Sequence, residues 1–231
     1  MDLELMAEAF PQLLEATPRT LLLAVSSLVL GFVLALGIAL VRLSGNRVAE
    51  LIAYGYVYLF RSTPLLVQIF IIYYGSGQFV PFFKDLGLWT LFREPWFCAI
   101  LALTLNSAAY ASEIIRGGIE SVPRGQIEAA RAVGMGRLLL FRRIVFPVAM
   151  RQALPGYGNE IILMVKATSL ASTITILEIT GVAKKIISAS YLPLEVFIIA
   201  GGIYLVINFV VTRAVQFSER RLNRHLRGAR A

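Results

Sequence analysis

The chain has 231 residues, 58% of them hydrophobic and only 16% charged, with a mean hydropathy of +0.74; an ordinary soluble domain carries about 25% charged residues and could bury only part of so much apolar surface. The net charge of +8 would point to nucleic acid in a soluble protein, but in a chain this apolar it points to membrane topology instead, and no nucleic-acid partner is expected. One cysteine, Cys98, excludes an internal disulfide and a cysteine zinc cage, and one histidine, His225 in the basic tail, leaves no Ser-His-Asp set to argue.

In chain order, residues 20–41 carry no charge and suffice to cross a hydrocarbon core of roughly 30 Å at about 1.5 Å per residue. The preceding segment is acidic (Asp2, Glu4, Glu8, Glu15) and the apolar run is longer than a signal peptide's core, so the first span reads as a retained helix. Residues 51–75 are apolar but interrupted by Arg61 and Pro64. They form either one kinked helix or an interfacial helix over 47–60 followed by a span that starts after Pro64. Residues 95–115 make the third span, in which Cys98 packs. Residues 155–180 make the fourth, with Glu160, Lys166 and Glu178 inside it, and residues 196–212 the fifth. Tyr73, Tyr74, Trp89, Trp96 and Tyr191 lie near span ends as interface anchors. The expected fold is an all-α membrane protein with five transmembrane helices in a single domain over residues 1–231.

The basic residues sort by side. Arg42, Arg47, the seven arginines between residues 116 and 151 and six in the tail share one side, fifteen in all; Arg19, Lys84, Arg93, Lys184 and Lys185 share the other. The positive-inside rule places the arginine-rich side in the cytoplasm, the N-terminus in the periplasm and the C-terminus in the cytoplasm. The tail over 218–230 reads as a solvated basic helix near anionic headgroups of the lipid bilayer. At the end of span three, Glu113, Arg116 and Glu120 step at i,i+3 and i,i+4 as an ion-paired helix end.

The loop between spans three and four has helical grammar. Pro123 opens a helix, good helix formers run to Val133, and Gly134 is placed for a left-handed cap. A second helix follows from about Arg137 and bends near Pro147. Ile127, Ala130, Val133 and Leu138 offer an apolar surface, and the small Ala129, Ala130 and Gly134 admit another backbone. On charge alone the segment serves equally as a topology determinant that binds anionic lipid.

Residue order adds to this. Glu128-Ala129-Ala130, three residues, Gly134, nine residues, Ile144, one residue, Phe146-Pro147 resembles the EAA loop of ABC importer permeases, with Phe146 in place of a leucine. Phe60-Arg61-Ser62-Thr63-Pro64-Leu65-Leu66-Val67-Gln68, the stretch from Ala102 through Asn106 and Tyr110 to Ile114, and Ala153 to Glu160 are similar to polar amino acid permeases. The likeness is nearest to the branch that moves histidine, lysine, arginine and ornithine, or the opines octopine and nopaline. Where many such permeases read K-D-T-S-L, this chain has Lys166-Ala167-Thr168-Ser169-Leu170, so an acidic contact to a cationic substrate is missing at Ala167.

The resemblance implies a type I importer-like domain whose coupling helix, with Glu128, Ala129, Ala130 and Gly134, docks into a dimer of cytoplasmic ABC ATPase subunits. It implies a second permease subunit, a paralogue or a second copy of this chain, and a periplasmic substrate-binding protein. Since the sequence contains no P-loop, the chain is expected to bind no cofactor, to hold no metal and not to be an enzyme; ATP and Mg sit on the partner ATPase. The function implied is that of an inner-membrane permease subunit importing polar, basic or opine-type amino acids by alternating access. A self-standing channel or secondary transporter for small polar solutes is the alternative; inverted repeats would favour the latter, and none is visible.

Candidate path residues lie in span four. At 100° per residue, Asn159, Lys166, Ser169 and Thr173 fall within an arc of roughly 80°; Thr168, Ser172 and Thr175 line the opposite face, with Glu160 between. Glu160 and Lys166 are too far apart to pair along one helix, so each needs a partner on another helix, a substrate or water. Both readings stand at this point: a substrate path, because charges at membrane depth usually face a wet cavity, or helix glue.

Overall fold

A computed structural model of the protein describes residues 2–222, all helix and turn with no strand among them. The first helix, α1 (Leu3–Arg42), opens on Asp2, whose carboxylate accepts the amide N–H groups of Glu4 and Leu5 at 3.1 and 3.0 Å and so satisfies donors with no intrahelical partner. It runs 40 residues, about 60 Å at 1.5 Å per residue, twice a hydrocarbon core. Its buried stripe is built largely from small residues, among them Ala9, Ala16, Ala24, Ser27, Gly31, Ala35 and Ala39. That lets it lie close along α4 (Pro95–Glu120), whose inner face is likewise alanine-rich. A Cβ on Gly31 would come within 3.3 Å of the Thr104 carbonyl and 3.2 Å of the Ser107 side chain. In lipid, close approach of this kind takes the place of the hydrophobic drive.

The second segment resolves into the two-part alternative. Helix α2 (Arg47–Ser62), capped by Asn46, buries only Ala53 and Val57 and is amphipathic. Thr63 and Pro64 are extended, since proline ends the helix before it. The membrane-competent α3 (Leu65–Asp85) follows, loosened by a wide turn at Ile71–Gly75. Gln68 pins the elbow. Its side-chain amide donates to the carbonyls of Phe60 (2.9 Å) and Thr63 (3.1 Å), and its own Oε1 accepts from Asn106 Nδ2 at 3.0 Å.

After α4 comes the loop helix α5 (Arg124–Ala132), then α6 (Arg137–Ile174), bent 47° from α7 (Ile179–Ser190). The last described helix is α8 (Pro193–Leu222). The rest of the basic tail, with His225, lies outside the described residues. Helices α1, α3, α4 and α8 are each long and apolar enough to cross a membrane, and the bent pair α6–α7 meets the same length and composition when taken together, for four to five candidate spans among the described residues. The fourth span thus differs from the continuous helix expected over 155–180. It starts earlier, tightens to a narrower helix over Thr168–Ile174 and breaks at Thr175, whose φ of 70° ends the helix before the chain resumes in α7 at an angle of 47°.

Packing divides the molecule into two ends. Around the start of α1, Leu13 and Ala16 pack with Ile179, Ala183, Val196 and Ala200. At the other end Arg42 of α1 meets Glu113 of α4 at 3.1 Å, and Glu113 also receives Arg116 at 2.8 Å. Arg116 bridges on to Glu120, so the expected ion-paired helix end is present, with Arg42 added from a distant helix. Cys98 is fully buried, its thiol toward the Phe92 carbonyl. Of the aromatic residues read as interface anchors, Tyr74 and Tyr191 are exposed, whereas Tyr73 and Trp96 pack against the central cluster.

Candidate functional site

On α4, Asn106, Tyr110 and Glu113 recur at i, i+4 and i+7 and share one face. Opposite Asn106 and Tyr110, α6 presents Glu160, Leu163 and Lys166, and together with Leu65 of α3 these residues border a groove of about 410 Å³ that Glu113 does not reach. Glu160 is only 6% exposed. Ser107 of α4 stands beside it, but among the described residues no hydrogen bond to the carboxylate forms, and Ser107 Oγ is itself buried without a partner. Lys166 is exposed at the groove's border and makes no ion pair within 4.0 Å among the described residues. The groove therefore offers one unmatched acid, one unmatched base, an amide and a phenol on apolar walls.

The expected stripe does not survive intact. Glu160, Lys166 and Ser169 border the groove, while Asn159 and Thr173 do not. Asn159 is exposed. Beyond Ala167 the helix tightens, so the 100° wheel no longer applies. Ser169 Oγ donates to the Lys166 carbonyl at 2.7 Å and Thr173 Oγ1 to the Leu170 carbonyl at 2.6 Å, which turns both hydroxyls to their own backbone. Asn106 and Tyr110 also line the groove, although no pattern in the sequence marks them as path residues.

Glu178 occupies a different setting. It is fully buried at the break between α6 and α7. Its carboxylate caps α7 through the Gly181 N–H (2.9 Å) and accepts Tyr204 OH of α8 (2.7 Å) and Thr20 Oγ1 of α1 (3.5 Å). Thr20 Oγ1 in turn accepts the Ile179 N–H at 3.2 Å.

A second groove, about 330 Å³, lies between the end of α1, α2 and α4, and Tyr110 belongs to the walls of both grooves. Arg61 lies over the Tyr110 ring, 5.2 Å from its centre, and Arg42 lies 5.2 Å over Tyr54.

The loop helix α5 closes in a Schellman turn. The Gly134 N–H bonds the Arg131 carbonyl and the Met135 N–H bonds the Ala130 carbonyl, both at 3.0 Å, with Gly134 at φ +82°, a conformation glycine adopts without a Cβ penalty. Ala130 is buried against Val122, Leu140 and Val145. Ala130, one of the residues expected at the ATPase contact, packs in the loop's own small core and also borders a surface groove with Gln126, Ala129 and Val133. Glu128, Ala129 and Gly134 are exposed, as are the apolar Val133 (75%) and Leu138 (80%).

Residues 27–224 match the family described as binding-protein-dependent transport system inner membrane component. The nopaline transport system permease protein of Agrobacterium fabrum is 66% identical over 227 residues, 98% of this chain and 94% of that protein. The octopine transport system permease protein of Rhizobium radiobacter is 56% identical, over 94% of this chain and 91% of the other. The crystal structure of an amino acid ABC transporter with histidines superposes with a TM-score of 0.85 at 34% identity, over 96% of this chain and 99% of that one.

Proposed function

This chain belongs to the binding-protein-dependent transport system inner membrane components, and from that membership we propose that its cargo is a basic or opine-type amino acid carried through the groove between α4 and α6. It is a multi-pass permease subunit of an ABC importer and not itself an enzyme; such a subunit works with an ATPase and a substrate-binding protein. The observation that carries the cargo reading is the convergence of Glu160 and Lys166, both unmatched, on one groove. A zwitterion with a cationic side chain brings both complementary charges, and a charge-assisted hydrogen bond is roughly twice as strong as a neutral one.

In the proposed arrangement residues 1–231 form one type I importer-like domain. The arginine-rich end, with α5 and the C-terminus, faces the cytoplasm and the start of α1 the periplasm. The permease pairs with a paralogous subunit, or with a second copy of itself. Helix α5 docks on the cytoplasmic ATPase dimer through Glu128, Ala129 and the apolar Val133 and Leu138, and Gly134 sets the exit of the chain. The chain binds no nucleotide, and ATP with Mg sits on the ATPases. Their closure moves α5, and access to the groove alternates.

The test is uptake of nopaline and L-arginine by reconstituted importer. Glu160→Gln, which keeps the size and removes the charge, should lower uptake about a hundredfold, the loss expected for roughly two charge-assisted bonds. Ala129→Trp should leave cargo binding intact but prevent co-purification of the ATPase. Wild-type uptake with Glu160→Gln would remove the groove from the path, and full ATPase recovery with Ala129→Trp would make the loop a topology determinant only.

A further inference from the structure

The second groove has an electrostatic imbalance. Glu113 is its one acid, and both carboxylate oxygens are engaged, Oε1 by Arg42 at 3.1 Å and Oε2 by Arg116 at 2.8 Å. Arg61 on the same wall has no carboxylate within 4.0 Å among the described residues. Its guanidinium is held only over the Tyr110 ring, while its own carbonyl receives the Tyr110 hydroxyl at 3.5 Å. The elbow bonds of Gln68 and Asn106 to the Phe60 carbonyl, at 2.9 and 3.4 Å, fix the backbone just before Arg61. The result is a positioned planar donor without an acceptor, with the hydroxyls of Tyr54, Tyr58 and Ser62 on the same groove. A guanidinium so placed matches a carboxylate in shape and charge.

Tyr110 separates this groove from the one that holds Glu160 and Lys166. A carboxylate leaving Lys166 toward the Arg42 end of the bundle would pass the half-buried phenol ring without a cationic partner, a state that costs more the less water reaches it. Arg61 stands on the far side of that ring. We propose that Arg61 forms a second carboxylate-binding station on the cargo path, which takes over the cargo's carboxylate as it passes Tyr110; this rests on the α4–α6 groove being the path. A cargo with additional carboxylates, such as an opine, depends on the station more than one with a single carboxylate, because Lys166 can neutralise only one of them.

The experiment uses the complete importer in vesicles, with initial uptake rates for labelled nopaline and L-arginine and separate binding of each to the resting complex. Arg61→Gln should lower L-arginine uptake about tenfold, the worth of roughly one charge-assisted bond, and nopaline uptake further, while resting binding stays at the wild-type level. Arg61→Lys should retain most of the rate for both. Unchanged uptake overturns the station. So does equal slowing of the two cargoes, which marks a structural role at the elbow, or slowing that follows the anionic-lipid content of the vesicles, which marks a headgroup site. Glu160→Gln is measured alongside. If it leaves resting binding and uptake intact, the path reading fails and the station with it; if it abolishes both while Arg61→Gln is neutral, the path stands and the station alone is lost.

Discussion

Glu160 and Glu178 are two buried acids on the same bent span, and they are built for opposite ends. Glu178 receives a backbone N–H, a phenol and a threonine hydroxyl from three different segments; its hydrogen-bonding capacity is largely consumed by the fold. Glu160 receives no formed bond among the described residues and looks onto a groove with Lys166 across the border. In a membrane interior, where water does not make up missing partners, a saturated carboxylate is a joint and an unsaturated one is an invitation to a ligand. Residue type and burial are nearly the same in both, so the donors around the acid decide its role.

Removal of the saturated acid should have the largest effect on stability. Glu178→Ala strands the Gly181 N–H and the Thr20 hydroxyl and leaves the Tyr204 hydroxyl with Thr180 alone at 3.2 Å, and at about 1–3 kcal/mol per buried unsatisfied group it should cost on the order of 2–5 kcal/mol. A fall in the thermal unfolding midpoint of the purified subunit checks this; a midpoint equal to that of wild type would erase the contrast with Glu160. Next comes the base facing the groove. Lys166→Met keeps the length and loses the charge, so uptake should drop roughly tenfold, one charge-assisted bond, with an unchanged unfolding midpoint. A stability loss without a transport loss would make Lys166 helix glue. The smallest effect belongs to Asn159→Ala. Since Asn159 is exposed and outside the groove, uptake should stay within about twofold and stability within roughly 0.5 kcal/mol. A larger transport loss would show that the groove extends around α6.

Much of the fold was legible because bilayer thickness dictates span length, and uninterrupted apolar runs meet it in α1, α4 and α8. Pro64 marked the α2–α3 elbow, but only the amphipathic pattern of α2 beside the packing of α3 decided between a kink and two helices. Gly134 announced its left-handed cap, because few residues besides glycine take that conformation freely. The groove was half legible. Glu160 and Lys166 stand out as charges in an apolar run, yet the periodic wheel that grouped them with Asn159 and Thr173 assumed an unbroken α-helix. The tightening after Ala167 ends that assumption, and nothing in Thr168-Ser169-Leu170 announces it. Asn106 and Tyr110 are ordinary polar residues in a span, and only the opposing helix makes them neighbours of an acid. Ala130 was legible only in part, because a small residue serves equally to admit a partner or to fill a tight core, and the sequence alone does not separate the two.

The inward seat of Ala130 has a mechanical consequence. Val122, Ala130, Leu140 and Val145 join the end of α4, the loop helix and the start of α6 into one small packed body, so α5 is not a flexible tether. In the proposed docking, a push on its exposed face would pass through that packed body into α6. That helix carries a wide turn over Phe141–Val145 and an internal Pro155, two places where it can bend, with Glu160 farther along its length. Under the proposed function, a displacement applied at the loop would reach the acid as a tilt of the groove wall, and the packing of four buried side chains would set how much of each stroke arrives.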